Sequence, residues 1–271
     1  MRRPFQSRFD AVLRIVQQAN YVPTRRLKFV VNLRDLPRRR SLLVPLVIFG
    51  ASACEGYQDI AAPDFVFGGW PEAGISDFTL SCEGLAAAGD APSKTSLLGW
   101  YGNAGVHISR QRFVQLASSM PDRIEAVDVG NWHGRGDRLD QVGRNSSGNV
   151  MTMPEQVSRF RYLIDIEGAG YSGRLKMFLH SGRPVLVQDR PWREWFWPRL
   201  IPWKHYIPVR NDFSDLVEVL DRLDREPDRA KEIGLEGQRF ARENLTVHGA
   251  AEHWRKLLTH LDRRESMPIL G

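Results

Sequence analysis

The chain has 271 residues, enough for one large or two modest α/β domains with cores of their own. Its composition, 42% hydrophobic and 26% charged, is ordinary for a globular protein. The formal charge is +6, and residues 1–40 hold eleven Lys or Arg against two Asp. Charge alone favours a solvated arginine-rich surface, with an acidic partner such as a phosphorylated glycan, an anionic membrane or nucleic acid as the functional alternative.

Cysteine usage and apolar runs indicate the compartment. The two cysteines, Cys54 and Cys82, exclude a disulfide framework and favour a reducing environment. No apolar signal-peptide core follows the basic N-terminus, and the longest apolar run, at 42–49, is too short to span a bilayer. We therefore expect a soluble, cytoplasmic protein.

Hydrophobic periodicity predicts alternating strands and helices. In the first half, we expect a helix at 7–19, strands at 28–33, 42–49, 96–101 and 123–129, and a helix near 109–118. In the second half, we expect strands at 160–166 and 184–188 and helices at 172–181, 213–223, 227–243 and 248–262. Such alternation is typical of an α/β fold with a parallel sheet covered by helices on both faces.

Composition describes the remaining segments. Residues 50–93 are rich in Gly, Pro, Ser and Asp, which predicts a loop-rich connection. Residues 86–95 turn small and polar, which suggests a domain boundary. Residues 130–149 are polar and glycine-rich, which predicts a mobile loop.

A glycine-rich turn follows the strand predicted at 160–166. Gly168, Gly170 and Gly173 form a G-x-G-x-x-G between a strand and a helix. Glycine permits close approach of a ligand, and the N–H groups at a helix start favour a phosphate. Ser172 adds a hydroxyl, and Arg174 adds a fork of donors suited to phosphate oxygens. The turn is therefore predicted to bind phosphate rather than only to pack a helix on a strand.

Three chemistries are compatible with this turn. In a dinucleotide site, Asp189 would bind a ribose, because it ends the next predicted strand about 20 residues on. In a metal site, Asp165 and Glu167 would hold a divalent ion that bridges a diphosphate. In a metal-free sugar-nucleotide site, Arg174 and the helix dipole would neutralise the diphosphate. The residues alone leave these alternatives open.

An aromatic block follows at 189–209. Five of its rings fall within twelve positions: Trp192, Trp195, Phe196, Trp197 and Trp203. Such rings can stack on a nucleobase or a sugar, but most are expected to form a core patch under a loop. The block is compact and lacks a long basic stripe, which disfavours single-stranded nucleic acid as a partner.

Ordered pieces across residues 9–245 resemble one family. The most specific pieces are YLIDIEGAGYSGRLKMFLHSGRPVLVQD at 162–189 and EWFWPRLIPWKHYIPVRNDFSDL at 194–216. Weaker pieces are FVVNLRDLP at 29–37, APDFVFGGWPE at 62–72 and GWYGNAGVHISRQRFVQLA at 99–117. The chain thereby resembles glycosyltransferase family 90, the lipopolysaccharide-modifying and capsule-associated group that also contains protein O-glucosyltransferases.

The resemblance implies a fold and a reaction. The fold is a GT-B-like α/β architecture, in which two Rossmann-like domains face each other across a cleft. Residues 1–93 would form the acceptor-side domain with the base, 94–247 the domain that binds the nucleotide sugar, and 248–271 a helix that packs back on the first domain. The reaction is transfer from a UDP-sugar with inversion, without an essential metal or cofactor.

The resemblance also assigns roles to residues. Asp35 matches the catalytic base, although the residues alone favour a turn aspartate paired with an arginine. Arg174 matches a diphosphate-contacting arginine, and Arg110 matches a second one if one residue is inserted. Gly102 and Asn103 stand where many members have an Arg-Gly-Ser turn, so one donor contact is changed. The predicted donor site comprises Gly102, Asn103, Arg110, Gly170, Ser172, Gly173 and Arg174.

We therefore predict an inverting, metal-independent transferase that moves a hexose or pentose from a UDP-sugar to a hydroxyl of a surface glycan. The expected acceptor is the lipopolysaccharide core, and the basic N-terminal segment would contact an anionic inner membrane surface. One alternative is an NAD(P)-dependent oxidoreductase that uses the glycine turn. The other is a UDP-sugar-binding relic without catalysis.

Overall fold

The computed structural model describes residues 3–39, 47–130 and 151–264. The described helices are α1 (Arg3–Gln18), α2 (Phe78–Asp90), α3 (Ile108–Ser118), α4 (Met153–Arg159), α5 (Leu175–Phe178), α6 (Leu216–Arg225), α7 (Pro227–Asn244) and α8 (Val247–Arg264). The described strands are β1 (Val30–Asn32), β2 (Ile48–Gly50), β3 (Ile60–Ala61), β4 (Leu98–Gly102), β5 (Ile124–Asp128), β6 (Tyr162–Asp165), β7 (Val185–Gln188) and β8 (Ile207–Val209). The mobile loop predicted at 130–149 lies almost wholly outside these ranges.

The first sheet has three parallel strands in the order β1-β2-β3. Val30 pairs with Ile48, and Phe49 pairs with Ile60. Helix α1 contributes Ala11 and Ile15, both fully buried, to the core beside this sheet. The buried positions recur at helical spacing, which is why an amphipathic helix forms here.

The second sheet has five parallel strands in the order β5-β4-β6-β7-β8. Every residue of β6 and β7 is buried, as expected for strands covered on both faces. Since the strands are parallel, their carboxyl ends share one edge of the sheet. The loops after β4 and β6 therefore start side by side, which is where an open α/β sheet places its ligand site.

The last helix, α8, returns to the first sheet. The indole of Trp254 is 1% exposed, lies 5.2 Å from the ring of Phe49 and donates to the carbonyl of Pro63 (3.1 Å). Further along, the Asp262 carboxylate accepts from Tyr21 (2.7 Å) and from the backbone of Thr24 (2.8 Å). These contacts pack α8 into the core beside the first sheet. We call this sheet, with α1 and α8, the first unit.

The prediction of a loop-rich connection over 50–93 is wrong, because α2 fills Phe78–Asp90. Asp77 caps this helix by accepting from the backbone of Leu80 (2.9 Å). Gly89 is required by packing: a Cβ there would come within 1.6 Å of the carbonyl of Ser181. Gly89 thus permits a close contact between α2 and the turn at Ser181. From composition alone, glycine indicates only a residue that disfavours helix.

The helix predicted over 172–181 is much shorter than expected. The α-helical part, α5, has only four residues and continues as a 3₁₀ turn through Leu179–Ser181. Besides α2, three elements were not predicted: β3, α4 and β8. Helix α4 opens with a capping box from Thr152 and Glu155, and Pro208 of β8 is tolerated because this strand is at the edge of the sheet. No helix among the described residues has the length and apolarity to cross a membrane.

Candidate active site

A cavity of about 370 Å³ opens between the two sheets. One wall comes from α1, the segment after β1 and residues 65–85; the other comes from the ends of β4 and β6. The lining includes two groups predicted from the sequence to act on the substrates, the carboxylate of Asp35 and the side chains of the donor site. Its non-aromatic polar residues are Arg8, Asp35, Ser81, Asn103, Arg110, Thr152, Gln156, Ser172 and Arg174. The cavity thus brings the predicted base into the same space as both predicted diphosphate-binding arginines.

Arg174 carries the clearest sign of an anion site. Its Nη1 donates to the carbonyl of Tyr101 (2.5 Å), while its buried Nη2 finds no hydrogen-bond partner in the described part of the chain. Burial lowers the pKa of Arg174, because the charged guanidinium has lost water. A buried cationic donor without an acceptor is costly, so an anionic ligand in the cavity would relieve it.

Arg110 joins the loops after β4 and β6. It lies in the first turn of α3 and donates to the carbonyls of Glu167 (2.8 Å), Ile166 (3.2 Å) and Asn103 (3.3 Å). Its two outer nitrogens each keep one further hydrogen. Desolvation, followed by repulsion from Arg174, lowers the pKa of Arg110 to about 9. Two arginines that repel each other are stabilised together when an anion lies between them.

The glycine turn is fixed by Asp165, which ends β6. Its Oδ1 accepts from the hydroxyl of Ser172 (2.5 Å), and its Oδ2 lies 2.6 Å from Nη2 of Arg190. The hydrogen of the Ser172 hydroxyl serves this carboxylate, and the predicted contact between Ser172 and a phosphate stays a prediction. The backbone N–H groups of 172–174 donate to no acceptor within the described ranges, so they remain available to a ligand.

Three predicted glycines lie where space is tight. A Cβ on Gly170 would come within 2.1 Å of the carbonyl of Asp35, so the donor turn and the Asp35 segment touch backbone to backbone. A Cβ on Gly173 would come within 3.2 Å of the Trp70 ring. Gly102 lines the cavity, and a Cβ there would meet the Trp100 ring at 2.6 Å. Gly170 itself is absent from the lining and acts through this contact.

Asp35 sits on the opposite wall, three residues after β1. Its carboxylate is 41% exposed and pairs with Arg8 of α1 (3.0 Å). The segment is tied down by Asn32, whose side-chain amide donates to the carbonyl of Leu36 (2.9 Å) and to the carboxylate of Asp59 (2.6 Å). Asp35 is thus both paired with an arginine and open to the cavity.

Asp165 and Glu167, the alternative metal ligands, are engaged elsewhere. Asp165 is held by Ser172 and Arg190, while Glu167 accepts from the hydroxyl of Ser109 (3.0 Å). Among the described residues, no group of three His, Cys, Asp or Glu side chains is placed to hold a metal ion. Their geometry is that of a hydrogen-bonded framework behind the turn.

Asp189 and the aromatic block lie outside the cavity lining. Asp189, the ribose-binding acid of the dinucleotide alternative, is exposed and pairs with Arg193 (2.9 Å) four residues on. Trp195 and Phe196 are buried, which agrees with the expectation of a core patch. The aromatic rings that do line the cavity are Phe65, Trp70, Tyr101 and Tyr171.

A buried charge cluster lies next to the glycine turn, and the sequence analysis did not predict it. Lys176 of α5 is fully buried and pairs with Glu194 (2.6 Å) and with Asp64 (3.1 Å), which belongs to the first unit. Burial raises the pKa of Glu194 to about 7. The ammonium also lies 5.1 Å from the centre of the Tyr171 ring. A lysine in an amphipathic segment is normally exposed to solvent. The sequence therefore gave no signal that the Lys176 side chain is buried in a charge cluster.

The fold and the cavity define an α/β protein of GT-B-like architecture with an arginine-lined cleft between its two sheets. The sequence profile of glycosyl transferase family 90 matches residues 2–266, and the chain belongs to that family. It is 28% identical over 249 residues to human protein O-glucosyltransferase 1, covering 88% of this chain and 62% of that protein. It is 27% identical over 248 residues to O-glucosyltransferase rumi of Drosophila melanogaster, covering 86% and 59%.

The chain thus spans about three fifths of the length of these curated relatives. Among solved structures, it is similar to a sucrose-phosphate synthase from Thermosynechococcus elongatus, with 14% identity and a TM-score of 0.46. That match covers 67% of this chain and 49% of the synthase.

Proposed function

We propose that this protein is an inverting, metal-independent glycosyltransferase that moves a sugar from a UDP-sugar to an acceptor hydroxyl. One observation carries the proposal: a single cavity places Asp35 on one wall and two arginines with unused donors, Arg110 and Arg174, on the other. Membership of glycosyl transferase family 90 supports it. The contact between Gly170 and the carbonyl of Asp35 keeps the two walls next to each other.

In the proposed reaction, Asp35 accepts the proton of the acceptor hydroxyl as that oxygen attacks the anomeric carbon. The bond between the anomeric carbon and the diphosphate oxygen breaks on the opposite face, so the configuration inverts. The electron pair leaves with UDP, whose added charge is stabilised by Arg174, Arg110 and the backbone N–H groups of 172–174. The arginines supply the positive charge that a metal ion provides in other nucleotide-sugar sites.

The proposed acceptor is a hydroxyl of a surface glycan, with the lipopolysaccharide core as the specific candidate. The basic N-terminal segment supports a phosphorylated, membrane-anchored acceptor. Helix α1 also exposes Phe9 and Leu13, one turn apart and each 41% exposed, on its outer side. We propose that this face rests on an anionic membrane at the cytoplasmic side; equal binding to neutral and anionic vesicles would count against that placement.

A second acceptor class is favoured by the comparisons. Two relatives with 27–28% identity are named O-glucosyltransferases, one of them a protein O-glucosyltransferase. A serine or threonine hydroxyl would meet the same requirement at Asp35. Transfer assays with a dephosphorylated core oligosaccharide, the phosphorylated core and a folded protein acceptor separate the two classes.

Donor binding is tested by thermal shift with UDP-glucose, UDP-galactose, UDP-xylose, GDP-mannose and NAD. A ligand that binds the native state raises Tm through mass action. We expect a response to at least one UDP-sugar and to free UDP. A response to NAD without one to UDP would replace the transferase with the oxidoreductase alternative.

The role of Asp35 is tested with Asp35→Asn. Loss of a general base should lower transfer by about 10²–10⁴-fold, while the Kd for UDP stays unchanged because Asp35 faces the acceptor. Full activity in this variant would place the base elsewhere. Loss of activity in EDTA would return Asp165 and Glu167 to the role of metal ligands. UDP binding without turnover of any acceptor would identify a relic.

A further inference from the structure

Arg8 of α1 contacts Asp35 directly. Its side chain is 13% exposed, against 41% for Asp35. A single nitrogen, Nη1, donates to the carbonyl of Leu33 (2.8 Å) and to Oδ1 of Asp35 (3.0 Å). Because Nη1 carries two hydrogens, both bonds form at the same time. The guanidinium therefore links the carboxylate to the backbone at the end of β1.

The guanidinium is itself held in place. Its central carbon lies 4.3 Å from the centre of the Phe65 ring, and Phe65 is only 3% exposed. An arginine stacked on a buried ring and bonded to a backbone carbonyl has little freedom to move. Arg8 can therefore impose its own position on the more exposed carboxylate.

The two oxygens of Asp35 differ as a result. Oδ1 is engaged by Arg8, whereas Oδ2 accepts no hydrogen bond from any residue in the described ranges. Both Arg8 and Asp35 line the cavity that holds Arg110 and Arg174. The free oxygen is the one that can accept a proton from a ligand in this space.

We propose that Arg8 is a positioning residue for Asp35: it fixes one carboxylate oxygen so that the other faces the acceptor hydroxyl. The inference rests on the proposed function, in which Asp35 is the base. Arg8 neither contacts the sugar nor transfers a proton in this scheme. It limits the rotation of the Asp35 carboxylate, and its effect should appear only where that carboxylate acts.

The test is a double-mutant cycle of Arg8→Met and Asp35→Asn. Methionine keeps much of the side-chain length without charge or donors. We expect Arg8→Met to lower kcat about 10–100-fold, the size of a misplaced catalytic group, with KM for the UDP-sugar and Kd for UDP unchanged. In the Asp35→Asn background, the same change should cost nothing further, because residues that act as a unit are not additive.

Arg8→Lys provides the conservative variant. A lysine ammonium carries charge and several hydrogens but lacks the planar fork, so it should recover part of the lost kcat. If Arg8→Met does not give folded, UDP-binding protein, Arg8→Lys replaces it in the cycle, with a smaller loss of kcat that is equally absent in the Asp35→Asn background.

Arg14→Met is the matched control. Arg14 lies on the same helix, is exposed and donates to the carbonyl of Gly68 (2.6 Å), away from Asp35. With an unphosphorylated, soluble acceptor at saturating concentration, its kcat should equal that of the unmodified protein. An unchanged kcat in Arg8→Met, or the same loss in both backgrounds of the cycle, would overturn the positioning role while leaving Asp35 as the base. Full transfer by Asp35→Asn alone would instead refute the proposed function.

Discussion

The two walls of the cavity are built in different ways. We call the wall from the ends of β4 and β6 the donor wall, and the wall from α1 and the segment after β1 the Asp35 wall. Asp165, Ser172 and Arg174 of the donor wall lie within one short stretch of chain, and the first two bond to each other. The Asp35 wall is assembled from distant segments: Arg8 lies 27 positions before Asp35, and Gly170 comes from the other sheet. Local sequence therefore brings these three donor-wall residues together, and Arg110 joins them from α3. The Asp35 wall depends on tertiary contacts throughout.

The walls also differ in charge. The donor wall presents Arg110 and Arg174, and its nearest carboxylate, Asp165, is already paired with Arg190. On the Asp35 wall, the one lining arginine and the one lining aspartate form a pair. The excess positive charge thus lies where a diphosphate would bind, while the opposite wall offers a carboxylate oxygen. Two properties can therefore be tested separately: the stability of the contacts between the walls, and the affinity of the donor wall for UDP.

The largest expected effect is on stability, from a change in the buried cluster of Lys176, Asp64 and Glu194. Lys176→Met would leave Asp64 and Glu194 buried without their cation, which should lower the free energy of unfolding by about 3–5 kcal/mol. Urea unfolding measures the loss. Arg255→Met, which removes an exposed pair with Glu252 on α8, is the control and should cost about 0–1 kcal/mol. Equal losses in both variants would show that the buried cluster is not special.

Because of the same cluster, we expect the free energy of unfolding to depend on pH. Burial raises the pKa of Glu194 from 4.5 to about 7, so the folded chain binds this proton more tightly than the unfolded chain does. Its contribution to stability is present below pH 4.5 and is lost as pH rises towards 7. The unfolding free energy of the unmodified protein minus that of Glu194→Gln should fall across this window, by on the order of 1.4 kcal/mol per unit of pKa shift. A flat difference would contradict the assignment.

A smaller effect is expected on the donor wall. Arg174→Ala removes charge-assisted hydrogen bonds to the diphosphate and should weaken UDP binding by about 1.5–3 kcal/mol, or roughly 10–100-fold in Kd. Isothermal titration with UDP gives the value. Arg161→Ala, outside the cavity lining, serves as the control. If Arg174→Ala bound UDP normally while Arg110→Ala did not, the diphosphate would lie nearer α3.

The smallest expected effect is at Asp189. Asp189→Asn breaks only an exposed pair with Arg193, so donor affinity and transfer should stay unchanged. The dinucleotide alternative makes the opposite prediction, because it places this carboxylate on a ribose hydroxyl. UDP and NAD titrations of this variant separate the two.

The parts of the fold that sequence could predict are those with strong local signals. The strands β6 and β7 were predicted because continuous apolar runs between turns are typical of buried parallel strands. Helix α2 was missed because its segment is rich in glycine, and composition cannot reveal that Gly89 serves a close contact with the 179–181 turn. Edge strand β8 was missed because Pro208 resembles a turn residue.

The site was predictable to a similar degree. Arg174 follows a recognisable glycine turn, so its approximate place could be inferred from strand-turn-helix context. The partner of Asp35 could not be named, because Arg8 reaches it only after α1 packs beside the first sheet. The bond from the Ser172 hydroxyl to the Asp165 carboxylate could not be named either, because only the folded turn brings the two together.

Helix α8 has a consequence for the order in which the protein matures. The first unit is encoded first, yet Trp254 occupies its core and Asp262 caps its connection after α1. On the ribosome, the sheet that carries Asp35 therefore waits for almost the whole chain before it can close, whereas the five-stranded sheet has all its strands by Val209. Synthesis should complete the strands of the five-stranded sheet first and leave Phe49 without its indole neighbour until the end, so the first unit exposes apolar surface while it waits.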